Sequence, residues 1–368
     1  FQAEDGIRDC LLSRGLGDVY KRQYYDNPKE ARRADRSQQM ATATAAMALE
    51  DAGELSSDPA RCGVIYATGV GGLQTFGEQV LVHDRKGERR VSPFMVPMIM
   101  HNAPGAAISM RFGLQVPNET ITTACAASTH AIGYATRLIQ MGYADVVVSG
   151  GTESVMSPVG MAGFQNMTAL SSSGQSKPFD KDRDGFMMTE GSATLVLEEK
   201  DSAQSRGANI YGEVLGSGSS ADAHHITAPA PGGDGALRCM QLAIEDSGLA
   251  STDIASVNAH GTSTPLNDAA EAEALSKLFG EDGPPVTSTK GVTGHALGAA
   301  GAIEATAVLL SFLHKQIPPT AGFVNRDPEM AGFNIVTGSG MEWEPGPSMS
   351  NSFGFGGHNG SIVLAPVN

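Results

Sequence analysis

The stretch TTACAASTHAIGYATRLIQMGYADVVVSGGTES, residues 122–154, carries two kinds of periodicity around one cysteine. An alternating run, Asn118 to Thr122, leads into it as a strand. Ala126 to Met141 then sets Ile132, Ala135, Leu138 and Ile139 on one stripe of a helix. Asp145 to Ser149 (DVVVS) is a short β-branched run ending on glycines, the form of a buried parallel strand. Short strands alternating with helices argue for an α/β architecture. Cys125 falls where the strand ends and the helix makes its first turn, a place where unsatisfied backbone N–H groups and the helix dipole favour a thiolate. A lone cysteine among alanines reads equally well as an inert small hydrophobe of the core. This stretch leaves the two readings open.

The same alternation extends outward from Tyr24. Ser37 to Asp51 reads as a helix stopped at Gly53, and Arg61 to Ala67 (RCGVIYA) as a strand. After Arg206 a second series begins with strand-like Asn209 to Leu215 and a helix at Gly235 to Ser247. The strand Ile254 to Ala259, helices Asp268 to Phe279 and Gly298 to Lys315, and the strand Gly360 to Pro366 complete it. Two comparable α/β halves result, residues 24–206 and 207–368, with no low-complexity linker between them, so one compact body is expected. Residues 1–23 show neither period. They resemble the adapter read-through found at the ends of some assembled reading frames, so they are set aside as a non-native or disordered segment.

Composition narrows the function. Of 368 residues, 41% are hydrophobic and 18% charged, an ordinary globular mixture. Lys and Arg number 25 against 40 for Asp and Glu, a net charge of −15 with no basic run, which argues against nucleic acid as a partner. No stretch reaches about 18 uninterrupted apolar residues, and no secretory signal opens the chain, so no membrane role and a cytoplasmic location are expected. Cys10, Cys62, Cys125 and Cys239 fit neither a disulfide framework nor a paired zinc motif and read as free thiols.

Three further clusters carry chemistry. In NAHGTSTPLND (258–268), His260 leaves a strand for a loop before a helix capped by Asn267 or Asp268. In STKGVTGHALGAAGAIEA (288–305), Lys290 precedes His295, small residues open a helix, and Glu304 lies within reach of a lysine or histidine. In NSFGFGGHNG (351–360), glycines around Phe353 and Phe355 let backbone N–H groups point into a site. His224 and His225 invite a metal reading, for which a satisfied loop is the simpler account.

Taken in this order, TTACAAS, VNAHGTSTPLND, STKGVTGHALGAAG and NSFGFGGHNG resemble the β-ketoacyl-acyl carrier protein synthases of the thiolase superfamily, most closely the elongating type. GVGGL (69–73), SPFMVP (92–97), GGTES (150–154) and DKDRDGF (180–186) fit as well. The resemblance, which covers about residue 25 to residue 368, implies an α/β thiolase-like fold of two similar βαβαβαββ halves in a five-layered αβαβα arrangement, assembled as a homodimer. It makes Cys125 the nucleophile that takes an acyl group from the phosphopantetheine arm of acyl carrier protein. His260 and His295 then stabilise the enolate formed when malonyl-acyl carrier protein loses carbon dioxide, so loss of His295 is expected to spare much of the acyl transfer and cripple decarboxylation. Lys290 and Glu304 support the histidines, and Phe355 gates the site and supplies a backbone N–H. Thr262, Thr264 and Phe353 bind substrate, and Met100 lines the acyl pocket. Lys29, Arg32 and Arg33 form a docking patch for the acidic carrier. No organic cofactor and no metal are implied.

The start departs from the family, whose first strand, of the type RVVVTGLG, has no match. The expectation is an N-terminally truncated chain lacking a central strand. A degradative thiolase would need a second catalytic cysteine in place of FGFGGHN, and the initiating synthase a Cys-His-Asn set. A polyketide ketosynthase remains the nearest rival, and a non-catalytic or decayed fragment the rival of another class.

Overall fold

The computed structural model describes residues 24–25 and 27–367. The first half runs through α1 (Arg36–Ala52), β1 (Cys62–Ala67), α2 (Leu73–Lys86), α3 (Met95–Ile99), α4 (Ala103–Phe112), β2 (Asn118–Ile121), α5 (Ala127–Gln140), β3 (Val146–Glu153) and β4 (Gly191–Glu198). The second runs through β5 (Glu213–Ala221), α6 (Asp234–Ser247), β6 (Ser256–Asn258), α7 (Pro265–Phe279), β7 (Val286–Thr287), α8 (Ala300–His314), β8 (Ser348–Gly354) and β9 (His358–Ala365). Asp35 caps α1: its carboxylate accepts the Ser37 N–H, and Gln38 Oε1 accepts the Asp35 N–H.

Each half builds one sheet. The first has the order β2-β1-β3-β4, with β1 parallel to β2 and β3, and β4 antiparallel to β3. The second has the order β5-β9-β8-β6-β7, with β6 parallel to β7 and β8, and the β8–β9 hairpin antiparallel. Helices α1 and α4 cover the outer face of the first sheet, α6 and α7 that of the second, and α5 and α8 lie between them, giving the αβαβα layering. The β3 run shows why its sequence is continuously apolar. Val146 and Val148 pack with Ala41 and Ala45 of α1, while Val147 faces Ala131 and Ala135 of α5. Central burial likewise explains Leu297–His314, which averages a mean hydropathy of 1.5 over 18 residues and is 61% buried inside the protein.

Several expected boundaries move. The strand placed at Asn209 to Leu215 forms at Glu213–Ala221 instead. LGSGSS shows no apolar alternation because its glycines receive a helix rather than fill a core. A Cβ at Gly218 would lie 2.2 Å from the Cys239 carbonyl oxygen, and one at Gly216 would lie 2.6 Å from that of Ala243, both on α6. Helix α7 begins at Pro265 behind Thr264, not behind Asn267 or Asp268, because proline needs no N–H partner at a helix start.

The expectation of a missing central strand is not met. β1 and β3 pair directly, from Cys62 opposite Val146 to Ala67 opposite Gly151. The open position is the outer edge of β4, which pairs with no strand among the described residues. In the second half the matching edge, that of β9, is covered by antiparallel β5. A cavity of about 640 Å³ runs along β4, lined by Leu195, Leu197, Ile139, Leu309 and Tyr211 among others. The remarks made on residues 1–23, and Cys10 with them, lie outside the described residues.

Candidate active site

Cys125 sits in a tight turn between β2 and α5. Ala124 adopts φ 50, and Ala124–Ala126 forms a short 3₁₀ turn into the helix. The hairpin loop after β8 presses on this turn. A Cβ at Gly354 would lie 2.9 Å from the Thr123 oxygen and 3.0 Å from the Cys125 nitrogen, so only glycine lets the backbones meet. The Phe355 backbone N–H acts on the Cys125 sulfur, favouring its ionised form. Gly354→Ala is therefore expected to displace the nucleophile and slow its acylation roughly 100-fold, by analogy with small misplacements elsewhere. Mass-spectrometric timing of the thioester checks this.

His260 lies two residues beyond the end of β6, and His295 follows the loop after β7. The His295 Nε2 lies 3.1 Å from Cys125 Sγ, and the two imidazole rings stand edge to face at 5.3 Å. Lys290, fully buried, donates to the His260 carbonyl oxygen at 2.6 Å and pairs with Glu304. Its Nζ also lies 3.3 Å from His260 Nδ1. An ammonium has donors only, so Nδ1 accepts and the proton of His260 sits on Nε2. His295 Nδ1 has no hydrogen-bond partner, which leaves its tautomer unfixed.

Burial dominates the electrostatics. It pushes Cys125 up to about 12 against the pull of Lys290 and the Phe355 N–H. Burial, with Lys290 adding to it, holds both imidazoles well below their ordinary value, so both are neutral near pH 7. Burial thus works against the helix-start effect that favours a thiolate, and His295 Nε2 lies beside the sulfur as a proton acceptor. Burial likewise pushes Glu304 up to about 7, with Lys290 opposing. Lys290→Met, which strands Glu304 without its cation, is expected to cost about 3–5 kcal/mol of stability, read as a fall in denaturation midpoint.

The sulfur and imidazole nitrogens lie within 4.8 Å of one another, a donor set of the type soft divalent ions favour. The Lys290 ammonium beside His260 opposes a further cation there.

The other expected residues fall in several places. Phe353 meets the His260 ring edge to face at 5.8 Å, and the Thr262 and Thr264 hydroxyls bond each other at 2.9 Å on the loop after His260. Met100 is 45% exposed at the end of α3, where the chain turns into α4. The apolar group around Cys125 is Val155, Ala169, Phe186, Met188 and Leu297, with Val70, Leu73, Met161, Phe164 and Leu170 against it. Lys29, Arg32 and Arg33 are exposed, and the Arg33 guanidinium lies 4.5 Å over the Phe94 ring. His225 Nδ1 accepts the Thr227 and Ala228 N–H groups in an exposed turn.

Some positions escaped the sequence reading. Glu271 accepts the His260 and Gly261 N–H groups at 2.8 and 2.7 Å, and Asp268 those of Phe179 and Ser263, so two acids spaced three apart on α7 hold the histidine loop. Their spacing in NDAAEAE behind a histidine loop was the available signal. Phe186 stands edge-on to His295 at 4.9 Å, and nothing in DKDRDGF marked it.

Comparison with known proteins agrees with this geometry. The model of the beta-ketoacyl synthase N-terminal domain matches residues 19–203, and that of the C-terminal domain matches residues 211–324. A 3-oxoacyl-[acyl-carrier-protein] synthase 2 of Synechocystis is 43% identical over 375 residues, 99% of this chain and 89% of that protein. Its Staphylococcus aureus namesake is 44% identical over 91% of this chain and 85% of its own. Among solved structures, a beta-ketoacyl synthase from Burkholderia phymatum superposes with a TM-score of 0.86 at 34% identity, covering 92% of this chain and 84% of that one. A type II polyketide ketosynthase in complex with its acyl-carrier protein, bound to the hexaketide, gives 0.86 at 30% identity, covering 90% and 85%. Two matched domains, and relatives more than two-fifths identical along most of their length, leave one conclusion: this chain belongs to the beta-ketoacyl synthase family.

Proposed function

We infer that the chain elongates acyl groups by decarboxylative condensation with malonyl-acyl carrier protein, and that Cys125, His260 and His295 divide the work. The observation that carries this reading is a thiol 3.1 Å from a neutral imidazole whose neighbour is a fixed N–H donor. Cys125 Sγ attacks the acyl thioester as His295 Nε2 takes its proton. The carrier's pantetheine thiolate leaves and receives that proton. Malonyl-carrier then enters, and the bond to its carboxylate breaks with loss of carbon dioxide. The electron pair moves to the thioester oxygen, where the Nε2–H groups of His260 and of the other His295 tautomer donate. The resulting carbanion attacks the acyl-cysteine carbonyl, whose developing charge faces the N–H groups of Cys125 and Phe355. Collapse releases the 3-oxoacyl-carrier and expels the thiolate, which is protonated by water, the one proton that the overall condensation consumes. Loss of carbon dioxide supplies the carbanion, so this sequence calls for no resident cofactor or metal.

The group of apolar side chains around Cys125 is where the acyl chain would lie. The hydroxyls of Thr262 and Thr264 are suited to the pantetheine amides. Elongation assays with malonyl-carrier as the common extender, comparing saturated acyl-carrier with poly-β-ketoacyl-carrier as the acceptor, separate the fatty-acid reading from the polyketide one. The polyketide reading stands only if the poly-β-ketoacyl acceptors are the better substrates.

The same reading includes a cytoplasmic homodimer. Phe76 and Val80 on α2, Val96 on α3 and Met110 on α4 are apolar side chains between 45% and 78% exposed, which a second copy would cover. Sedimentation equilibrium giving a monomer at micromolar concentration would refute it.

Carrier docking falls to Lys29 and Arg32, since Arg33 is engaged with Phe94. Charge reversal at both is expected to raise KM for the acyl carrier about tenfold, the equivalent of 1.4 kcal/mol, with kcat unchanged. Added salt should raise the wild-type KM in the same direction.

A further inference from the structure

Glu153, the last residue of β3, is fully buried and lies outside the chemistry described above. Its carboxylate accepts four hydrogen bonds and meets no cation among the described residues. The donors are the Thr68 hydroxyl at 3.0 Å and the N–H groups of Gly69 at 2.7 Å, Val70 at 3.2 Å and Gly298 at 3.0 Å. The first three belong to the turn after β1. Gly298 belongs to the second half, in the 3₁₀ turn that follows His295 and opens α8. The carboxylate thus ties together backbone from both halves.

What those ties hold is specific. Val70, Leu297 and Val155, each bonded to Glu153, adjacent to a residue bonded to it, or two residues along from it, form part of the apolar group packed with Cys125. The fit around Gly298 is close: a Cβ there would lie 2.2 Å from the Gly69 nitrogen and 2.8 Å from Glu153 Oε2. The negative charge of Glu153 also opposes ionisation of Cys125.

We propose that Glu153 is a positioning residue for acyl transfer, its carboxylate setting the wall of the acyl pocket and the placement of Cys125 against His295. The proposal rests on the functional reading above. Burial pushes the Glu153 carboxyl up to about 7 while its donors pull it down, which is the balance a buried anion held only by neutral donors would show.

The test is Glu153→Gln in the full chain. Glutamine keeps the volume, but its NH₂ group faces N–H donors and cannot accept from them. The expected result is a fall of about tenfold or more in kcat for acyl transfer with KM for the acyl carrier within twofold, because docking lies elsewhere. Alkylation of Cys125 by iodoacetamide at pH 8, which requires no acyl donor, is expected to speed up severalfold as the neighbouring negative charge disappears. The groups that face the thiol besides Glu153 are Lys290, Glu304, His260 and His295, and all are retained in this variant. A kcat within twofold of wild type, a KM that rises in step with the loss of kcat, or an unchanged alkylation rate overturns the proposal. If the variant does not fold, Thr68→Val decides. It removes one donor and leaves the carboxylate, and should lower kcat about threefold, the size of one weakened hydrogen bond; wild-type kcat there overturns the proposal. A wild-type chain that forms no acyl-enzyme defeats the functional reading and this proposal with it, whereas a wild-type chain that is acylated beside an unimpaired Glu153→Gln defeats this proposal alone.

Discussion

Cys125→Ala is expected to form no acyl-enzyme, and Cys125→Ser to form it at a rate lower by several orders of magnitude, because a hydroxyl is a far weaker nucleophile than a thiolate. The structure sharpens the reason. The thiol is buried and pushed up to about 12, so acylation depends on transfer of its proton to His295 Nε2 at 3.1 Å during attack. A serine in that place would have to lose a proton held more tightly still. Cys125→Gln should also abolish condensation but retain or raise malonyl decarboxylation, since its amide stands in for the acyl carbonyl while both imidazoles remain. Mass spectrometry after incubation with acyl-carrier protein reports the thioester, and release of labelled carbon dioxide reports the second reaction. Acylation at wild-type rate in Cys125→Ala would end the nucleophile assignment.

His295→Ala is expected to lower malonyl decarboxylation roughly 10²–10³-fold, the usual cost of deleting a donor to a developing oxyanion. Resemblance alone implies that acyl transfer survives this change. The geometry argues otherwise, since the same nitrogen is the acceptor nearest the thiol and the substitution removes it. Acyl transfer should therefore fall as well, by at least tenfold. His260→Ala supplies the contrast. Lys290 fixes its tautomer with the proton on Nε2, so it can donate to an enolate but takes no proton from the thiol. Its loss should impair decarboxylation to a similar degree and leave acyl transfer within a few-fold of wild type. Equal sensitivity of both steps to both substitutions would overturn this division.

Legibility in the sequence differed from element to element. DVVVS was readable because both of its faces are buried, so its apolar content has no gaps. The helix after Cys125 was readable from its stripe. LGSGSS at β5 was not, because its glycines answer to the backbone of α6 lying against them, a neighbour outside any local window. Phe186 and the acids of α7 were missed for the same kind of reason: each acts on a residue of a different segment.

By itself the sequence determined the α/β alternation, the two halves and the residues that resemble a condensing enzyme's cysteine, histidines and lysine. These follow from side-chain period and from short motifs, which are local properties of a chain. Only the tertiary structure decided which groups meet. It brought His295 to Cys125 across 170 positions, assigned the proton of His260 through Lys290, and set Glu153 beneath both halves. It also buried the thiol, which opposes its ionisation. Proximity of the helix start to Cys125 can be read from the sequence, whereas desolvation depends on every segment packed around the sulfur, and here desolvation is the larger effect.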